Sequence, residues 1–258
     1  MTRSSEEVSV RRSEAVSILR FEDPERRNAL SVPMLESFLK RLEEVACDSR
    51  VTIVRLEGAG SAFCSGIDLE AGREDPAMLV RLLELLSQAM RSIRGMPQVV
   101  VAQVQGAAIA GGCALLSACD FTCGEPGTRV GYPVTRVGLS AAVSVPTLLG
   151  SVGTAAARSL LLEGSVIDGT KARQLNLLTH LAASLEELPG LVDELCADLA
   201  TKAPIAMLKT KAWLNELDES IQESRHQSAL EYSLHSAQTD EAALMLERNW
   251  KNKKRDQS

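Results

Sequence analysis

The sequence predicts an α/β fold followed by a wholly helical C-terminal region. Three observations predict it. Short β-type runs alternate with amphipathic helical stretches, the pattern of strands joined by helical crossovers on a covered sheet. Two connections after such runs, residues 58–69 and 106–120, are crowded with glycine and alanine. Beyond Pro204 the strand signals stop and apolar residues recur at helical spacing only. This shift divides the chain into an α/β core of residues 1–203 and a helical region of residues 204–258.

In chain order, VSVRR and AVSILRF read as two strands around Ser13-Glu14, a hairpin. A polar turn at residues 23–28 follows. Ser31 then suits an N-cap, with Pro33 in the first turn of a helix striped by Leu35, Phe38, Leu39, Leu42, Val45 and Ala46. VTIVRL at residues 51–56 is a strand, and residues 70–76 read as a mobile polar loop. Residues 76–93 form a helix with Leu79, Leu82, Leu83, Leu86, Met90 and Ile93 on one face, ended by Met96-Pro97. Residues 99–104 are a strand, the stretch from Gly106 a tight strand-to-helix turn, and Phe121-Thr122-Cys123 a further strand. Residues 131–138 read as a turn, residues 146–162 as a helix interrupted at Gly150 and Gly153, and residues 168–175 and 185–199 as helices.

Composition excludes some classes. The net charge is −6 and no basic stripe appears, against nucleic-acid binding. No apolar run approaches the ~20 residues of a membrane span, and MTRSSEEVSVRR has no apolar core of a leader. The six cysteines make no CxxC pair and no zinc spacing, so no metal is expected. They fall mostly in apolar runs, which suits reduced, buried thiols in a cytoplasmic protein.

The glycine-rich connections carry the chemistry. The first lacks the Gly-Lys-Ser/Thr ending of a phosphate loop, and Phe63 stands where a nucleophile elbow needs glycine, so Ser65 has little support as a nucleophile. In the second, Gly111-Gly112 before a helix leaves amide N–H groups unpaired beside the positive end of the dipole, a seat for an oxyanion. Two such turns about forty residues apart resemble the crotonase, or enoyl-CoA hydratase/isomerase, superfamily. The resemblance covers nearly the whole chain. It rests on Arg27-Asn28-Ala29-Leu30, AFCSGIDL at residues 62–69, QGAAIAGGC at residues 105–113, Cys119-Asp120, Tyr132-Pro133 with Arg136-Val137-Gly138, and LERNW at residues 246–250.

That resemblance implies a spiral of ββα units, a helical C-terminal trimerisation region giving a trimer or dimer of trimers, and an acyl-CoA thioester substrate with no other cofactor. It implies an oxyanion hole from the backbone amides of Ile67 and Gly111. It places Arg26, Arg27, Ala29, Ser65, Gly66, Asp68 and Leu69 along coenzyme A. The basic tail Arg248, Lys251, Lys253, Lys254 and Arg255 reads equally as a further phosphate contact or as a solvated terminus.

The chain departs from the family at the acids. The two hydratase glutamates fall on Ala114 and Val134, and neither transfers a proton. Tyr132 and Arg136 are the candidate replacements. Asp68 and Asp120 read as structural, Glu70, Glu74 and Asp75 as solvated, and His180, His226 and His235 as remote. The expectation is an acyl-CoA protein that stabilises a thioester enolate without ordinary hydration. Decarboxylation or thioester hydrolysis is one alternative, and a non-catalytic acyl-CoA binder or structural subunit the other.

Overall fold

A computed structural model describes residues 7–256, with side chains to residue 251. Residues 1–6, on which the leader expectation partly rests, and the side chains of Lys253, Lys254 and Arg255 lie outside the described residues. The hairpin forms as expected from β1 (Val8–Ser13) and β2 (Val16–Phe21). Helix α1 (Val32–Ala46) begins where the Ser31 side chain accepts from the Met34 amide, and it buries Met34, Leu35, Phe38, Leu42 and Val45. Strand β3 (Ile53–Gly58) is buried along its whole length, as a parallel strand covered on both faces should be.

Residues 70–76 are not a mobile loop. They wind into helix α2 (Leu69–Glu74), capped by Asp68 accepting from Ala71, and Asp75 then caps α3 (Pro76–Gly95) by accepting from Ala77. The polar residues there supply caps, which composition alone does not separate from loop. Strand β4 (Val99–Gln103) follows. The glycine-rich stretch after it holds a strand of its own, β5 (Ala107–Ile109), ahead of α4 (Gly111–Ala118), so the expected simple turn is also corrected. Next come β6 (Phe121–Gly124), β7 (Arg129–Gly131) and α5 (Val145–Glu163). They are followed by β8 (Val166–Asp168), α6 (Gly169–Gln174), β9 (His180–Leu181) and α7 (Leu188–Ala200), then α8 (Pro204–Leu217), α9 (Glu223–Ala237) and α10 (Asp240–Asp256).

Helix α5 breaks at Gly153 (φ 76°) and not at Gly150. With the turn before it, Ala142–Glu163 is long and apolar enough to cross a membrane by length and composition, with a mean hydropathy of 1.3. This corrects the expectation that no run reaches that length. Alanine, serine, glycine and threonine are interspersed through it, and its charges are Arg158 and Glu163 alone.

The strands form two sheets. The larger runs β1-β2-β3-β4-β6-β9, parallel after its first pair, and the smaller runs β5-β7-β8. Parallel bridges Leu30↔Ile67 and Cys64↔Ala108 tie the glycine-rich turns to this framework. The C-terminal helices pack back on it. Helix α9 lies against α3, and α10 buries Ala242 and Leu246 among Leu79, Leu83, Val137 and Leu139.

Candidate active site

The first glycine-rich turn is fastened from both sides. Ser65 N donates to Arg27 O (2.9 Å), Leu30 N to Gly66 O (2.8 Å) and Asp68 N to Leu30 O (3.0 Å). From the other side Cys64 N donates to Ala107 O (3.1 Å) and Ile109 N to Cys64 O (3.0 Å). Fully buried Asn28 donates through Nδ2 to the carbonyls of Ala59, Ala62 and Phe63. Gln105 Nε2 donates to Gly58 O (2.5 Å) and Ala62 O (3.3 Å). Beneath the turn Phe21 packs edge-on to Phe38 and Phe63, which concentrates three of the four phenylalanines at one place.

The second turn is pressed against the first. A Cβ on Gly112 would lie 2.5 Å from Cys64 O, and Gly66 holds φ 100° with no room before Ile109 O. Only glycine satisfies these two positions. Ala110 is held at φ 51° immediately before Gly111, its N–H donating to Gly131 O (2.8 Å) and its C=O accepting from Ala114 N (2.8 Å). Such a conformation costs about 1–3 kcal/mol and persists because the surroundings impose it. The result is that a Cβ built on Gly111 would stand 3.2 Å from Ile67 N. Neither the Ile67 nor the Gly111 amide donates to another backbone carbonyl among the described residues. Two spare N–H groups thus flank one small space, with the α4 dipole behind one of them, an arrangement that favours an oxygen gaining negative charge.

Two cavities meet at this space, and Ile67 lines both. The inner one has a volume of about 30 Å³ and includes Gly111, Ala114, Tyr132 and Val134 in its wall. The outer one has a volume of about 220 Å³ and includes Arg27, Ala29, Ser65, Asp68 and Leu69. Its far wall is Arg73 with Leu246, Asn249 and Trp250 of α10. Arg73 lies 5.0 Å from the Trp250 ring centroid and pairs with Glu247 at 3.6 Å. A larger groove of about 830 Å³ lies elsewhere, between α8 and α4–α5, where the polar groups bond one another: Lys211 with Asp120, and Asn215 with the Arg94 carbonyl.

The expected site residues therefore divide. Ile67, Gly111, Tyr132, Ala114 and Val134 surround the inner cavity, and Arg27, Ala29, Ser65, Asp68 and Leu69 the outer one, with Gly66 buried at the junction. Arg26 is not in either wall; its guanidinium sits on Asp68 at 2.5 Å, which raises the arginine pKa. Arg136 is exposed and lines neither cavity, because it projects from the 3-10 turn Pro133–Val137 whose buried residue is Val137. Glu70 reaches the outer cavity, Glu74 pairs with Arg73, and Asp75 is a helix cap. Lys251 pairs with Glu247, also on α10. The residues that sequence reading missed are Arg73 and Asn249, with Ser233 of α9 in the inner wall. Arg73 sits on α2, a stretch read as loop, Asn249 lies in the LERNW motif but was given no place at the site, and Ser233 stands on α9 with no motif around it.

Tyr132 is the one ionisable side chain in the inner wall among the described residues. Burial raises its pKa well above the usual 10, so it is a neutral hydroxyl near pH 7, donating to Cys113 O at 3.1 Å. Among the described residues, that wall holds no carboxylate, imidazole or amine.

A two-sheet fold whose glycine-rich turns present paired amides between an inner and an outer cavity defines a protein of the crotonase class. The chain belongs to the enoyl-CoA hydratase/isomerase family, whose model matches residues 11–252. It is 34% identical over 213 residues to a Thermus thermophilus protein provisionally named an enoyl-CoA hydratase, covering 77% of this chain and 80% of that one. It is 31% identical to the peroxisomal Delta(3,5)-Delta(2,4)-dienoyl-CoA isomerase of Arabidopsis thaliana, covering 74% of each. Among solved structures it is similar to an enoyl-CoA hydratase from Mycobacterium avium, with a TM-score of 0.85, 25% identity and coverage of 96% of this chain and 97% of that one.

Proposed function

We propose that this protein binds an acyl-CoA thioester with its CoA arm in the outer cavity and its acyl group in the inner one. The thioester oxygen lies between the Ile67 and Gly111 amides. These donors hold an enolate oxygen more strongly than a neutral carbonyl, so they lower the barrier to enolate formation. The observation that carries the reading is the pair of spare amides, Ile67 N lying 3.2 Å from where a Cβ on Gly111 would stand, beside the two cavities that Ile67 lines.

The inner wall favours a reaction that forms an enolate without a protein base. Hydration needs an acid and a base beside the double bond, and Ala114 and Val134 are neither. Decarboxylation of a carboxyacyl-CoA needs none. The bond from Cα to the carboxylate breaks, its electron pair becomes the enolate, carbon dioxide leaves, and Cα takes a proton from water. The low polarity of the wall destabilises the starting carboxylate.

The test is to incubate purified protein with crotonyl-CoA and with malonyl- and methylmalonyl-CoA, following hydration and carbon dioxide release. Release without hydration supports the reading. Hydration at a rate typical of an enzyme refutes the reading of Ala114 and Val134. Thioester hydrolysis, or binding with no turnover, assigns the protein to one of the two alternative classes. Restoring both acids by Ala114→Glu with Val134→Glu then asks whether the scaffold still supports hydration.

A homo-oligomer, trimeric or a dimer of trimers, belongs to the same reading. Its support is α8, where Ile205, Trp213, Leu214 and Leu217 are exposed while Lys211 and Asn215 are buried. Five buried free cysteines fit the reducing conditions of a cytoplasmic location.

A further inference from the structure

The inner cavity is small, and its walls are built so that they do not give way. Its volume of about 30 Å³ equals that of roughly two waters, since one needs about 10–15 Å³ by this measure. Leu83 and Leu86 close one side, one turn apart on α3, a helix of 20 residues. Both are buried. Leu83 packs with Val137, Leu139 and Leu246, and Leu86 belongs to the main core.

The opposite side is the segment from Leu139 to Ser144, which α9 fastens by its hydroxyls. Ser236 Oγ accepts from Ser140 N at 2.8 Å and Ser233 Oγ accepts from Val143 N at 2.9 Å. Within the segment Ser140 Oγ accepts from Ala142 N at 3.1 Å. Moving this wall away from α9 would break its two backbone-to-serine hydrogen bonds together. A packed core resists added volume on the other side.

We propose that this narrow cavity is a length stop that restricts the acyl group to about three carbons, with Leu86 and Leu83 as the residues that set the limit. The inference rests on the acyl-CoA reading above and names its substrate class: short acyl thioesters, including short carboxyacyl ones. A hexanoyl or octanoyl chain has no room without displacing leucines that the core holds in place. The serine hydroxyls leave the stop intact, because those of Ser233 and Ser140 already accept backbone N–H groups.

The experiment is calorimetric titration of the full chain with free CoA, propionyl-CoA, hexanoyl-CoA and octanoyl-CoA. The same series is run on Leu86→Ala and on the milder Leu86→Val. Propionyl-CoA is expected to bind at least as tightly as CoA, and octanoyl-CoA about tenfold or more weaker than propionyl-CoA. Leu86→Ala should tighten hexanoyl-CoA about fivefold or more relative to propionyl-CoA. If Leu86→Ala does not fold, the wild-type series and Leu86→Val decide. Equal binding of propionyl- and octanoyl-CoA by the wild type, or a truncation that leaves hexanoyl-CoA unchanged, overturns the length stop and leaves the acyl-CoA reading standing. Failure of free CoA and of every thioester to bind overturns the acyl-CoA reading itself.

Discussion

Gly111 shows how much one hydrogen atom in place of a methyl group decides. A Cβ there would stand 3.2 Å from Ile67 N and 3.2 Å from Ile67 Cγ2, within the space the thioester oxygen would take. If the proposed malonyl-CoA decarboxylation is observed, Gly111→Ala is expected to lower it by about 10²–10³-fold, the usual consequence of losing an oxyanion contact. Affinity for free CoA, held in the outer cavity, should stay near wild type in the same preparation. The buried thiols make a second prediction at this scale. Burial pushes Cys64, Cys113 and Cys123 from 9.0 up to about 12 and Cys196 to about 11. A raised folded pKa means the folded state holds protons that the unfolded chain has released. That stabilisation is whole below pH 9 and is lost as pH rises toward 12. His226 and His180 act from the other side. Burial lowers both below 6.5, so their contribution is present above pH 6.5 and is lost on acidification. Thermal melting should give a highest Tm between pH 7 and 9 with a decline on either side.

At the scale of elements, α8 is attached by charge. Lys211 Nζ donates to Asp120 Oδ2 (2.7 Å) and to Gln98 O (2.8 Å), while Asp120 Oδ2 also accepts from Val100 N (2.8 Å). Lys211→Ala leaves a carboxylate without its cation in a largely buried position, which should cost about 3–5 kcal/mol. Lys202→Ala, on an exposed pair with Asp198, should cost less than about 0.5 kcal/mol. Denaturant melts of the two variants side by side check the difference. The elements legible in sequence were those with an internal signal. The stripe of α1, the Ser31 cap and the apolar run of β3 each declare themselves. Strand β5 did not, because three residues of Ala-Ala-Ile beside glycines carry no period. Its pairing with β7 at Arg129, Val130 and Gly131 is what makes it a strand. Helix α2 was hidden likewise, since Asp68 and Asp75 read as loop residues until their carboxylates are seen on Ala71 and Ala77 amides.

For the whole molecule, the site was legible where backbone geometry determines it and illegible where distant helices supply it. The family resemblance leads to Ile67 and Gly111 as candidates, and the same motifs set Ala114 and Val134 where the family's glutamates would stand. Ser233, Leu246 and Asn249 reach the cavities from beyond residue 203, so the helical region forms walls of the site. Its other face bears on the proposed homo-oligomer. Leu217 is 63% exposed on α8 beside Leu214 and Trp213. Leu217→Asp is expected to shift sedimentation toward a single chain while secondary structure by circular dichroism is unchanged. An unaltered sedimentation profile would remove α8 from the assembly interface.

The contact between Trp250 and Arg73 has an optical consequence. The chain holds two tryptophans, and Trp213 is 60% exposed on α8, away from both cavities. In Trp213→Phe all indole emission would come from the ring that lies 5.0 Å from Arg73 in the wall of the outer cavity. If the proposed CoA arm occupies that cavity, its purine or phosphate would disturb the cation–π pair and change the fluorescence. The single remaining indole then serves as a built-in meter of occupancy, reporting arrival and departure in a stopped-flow trace without any added dye.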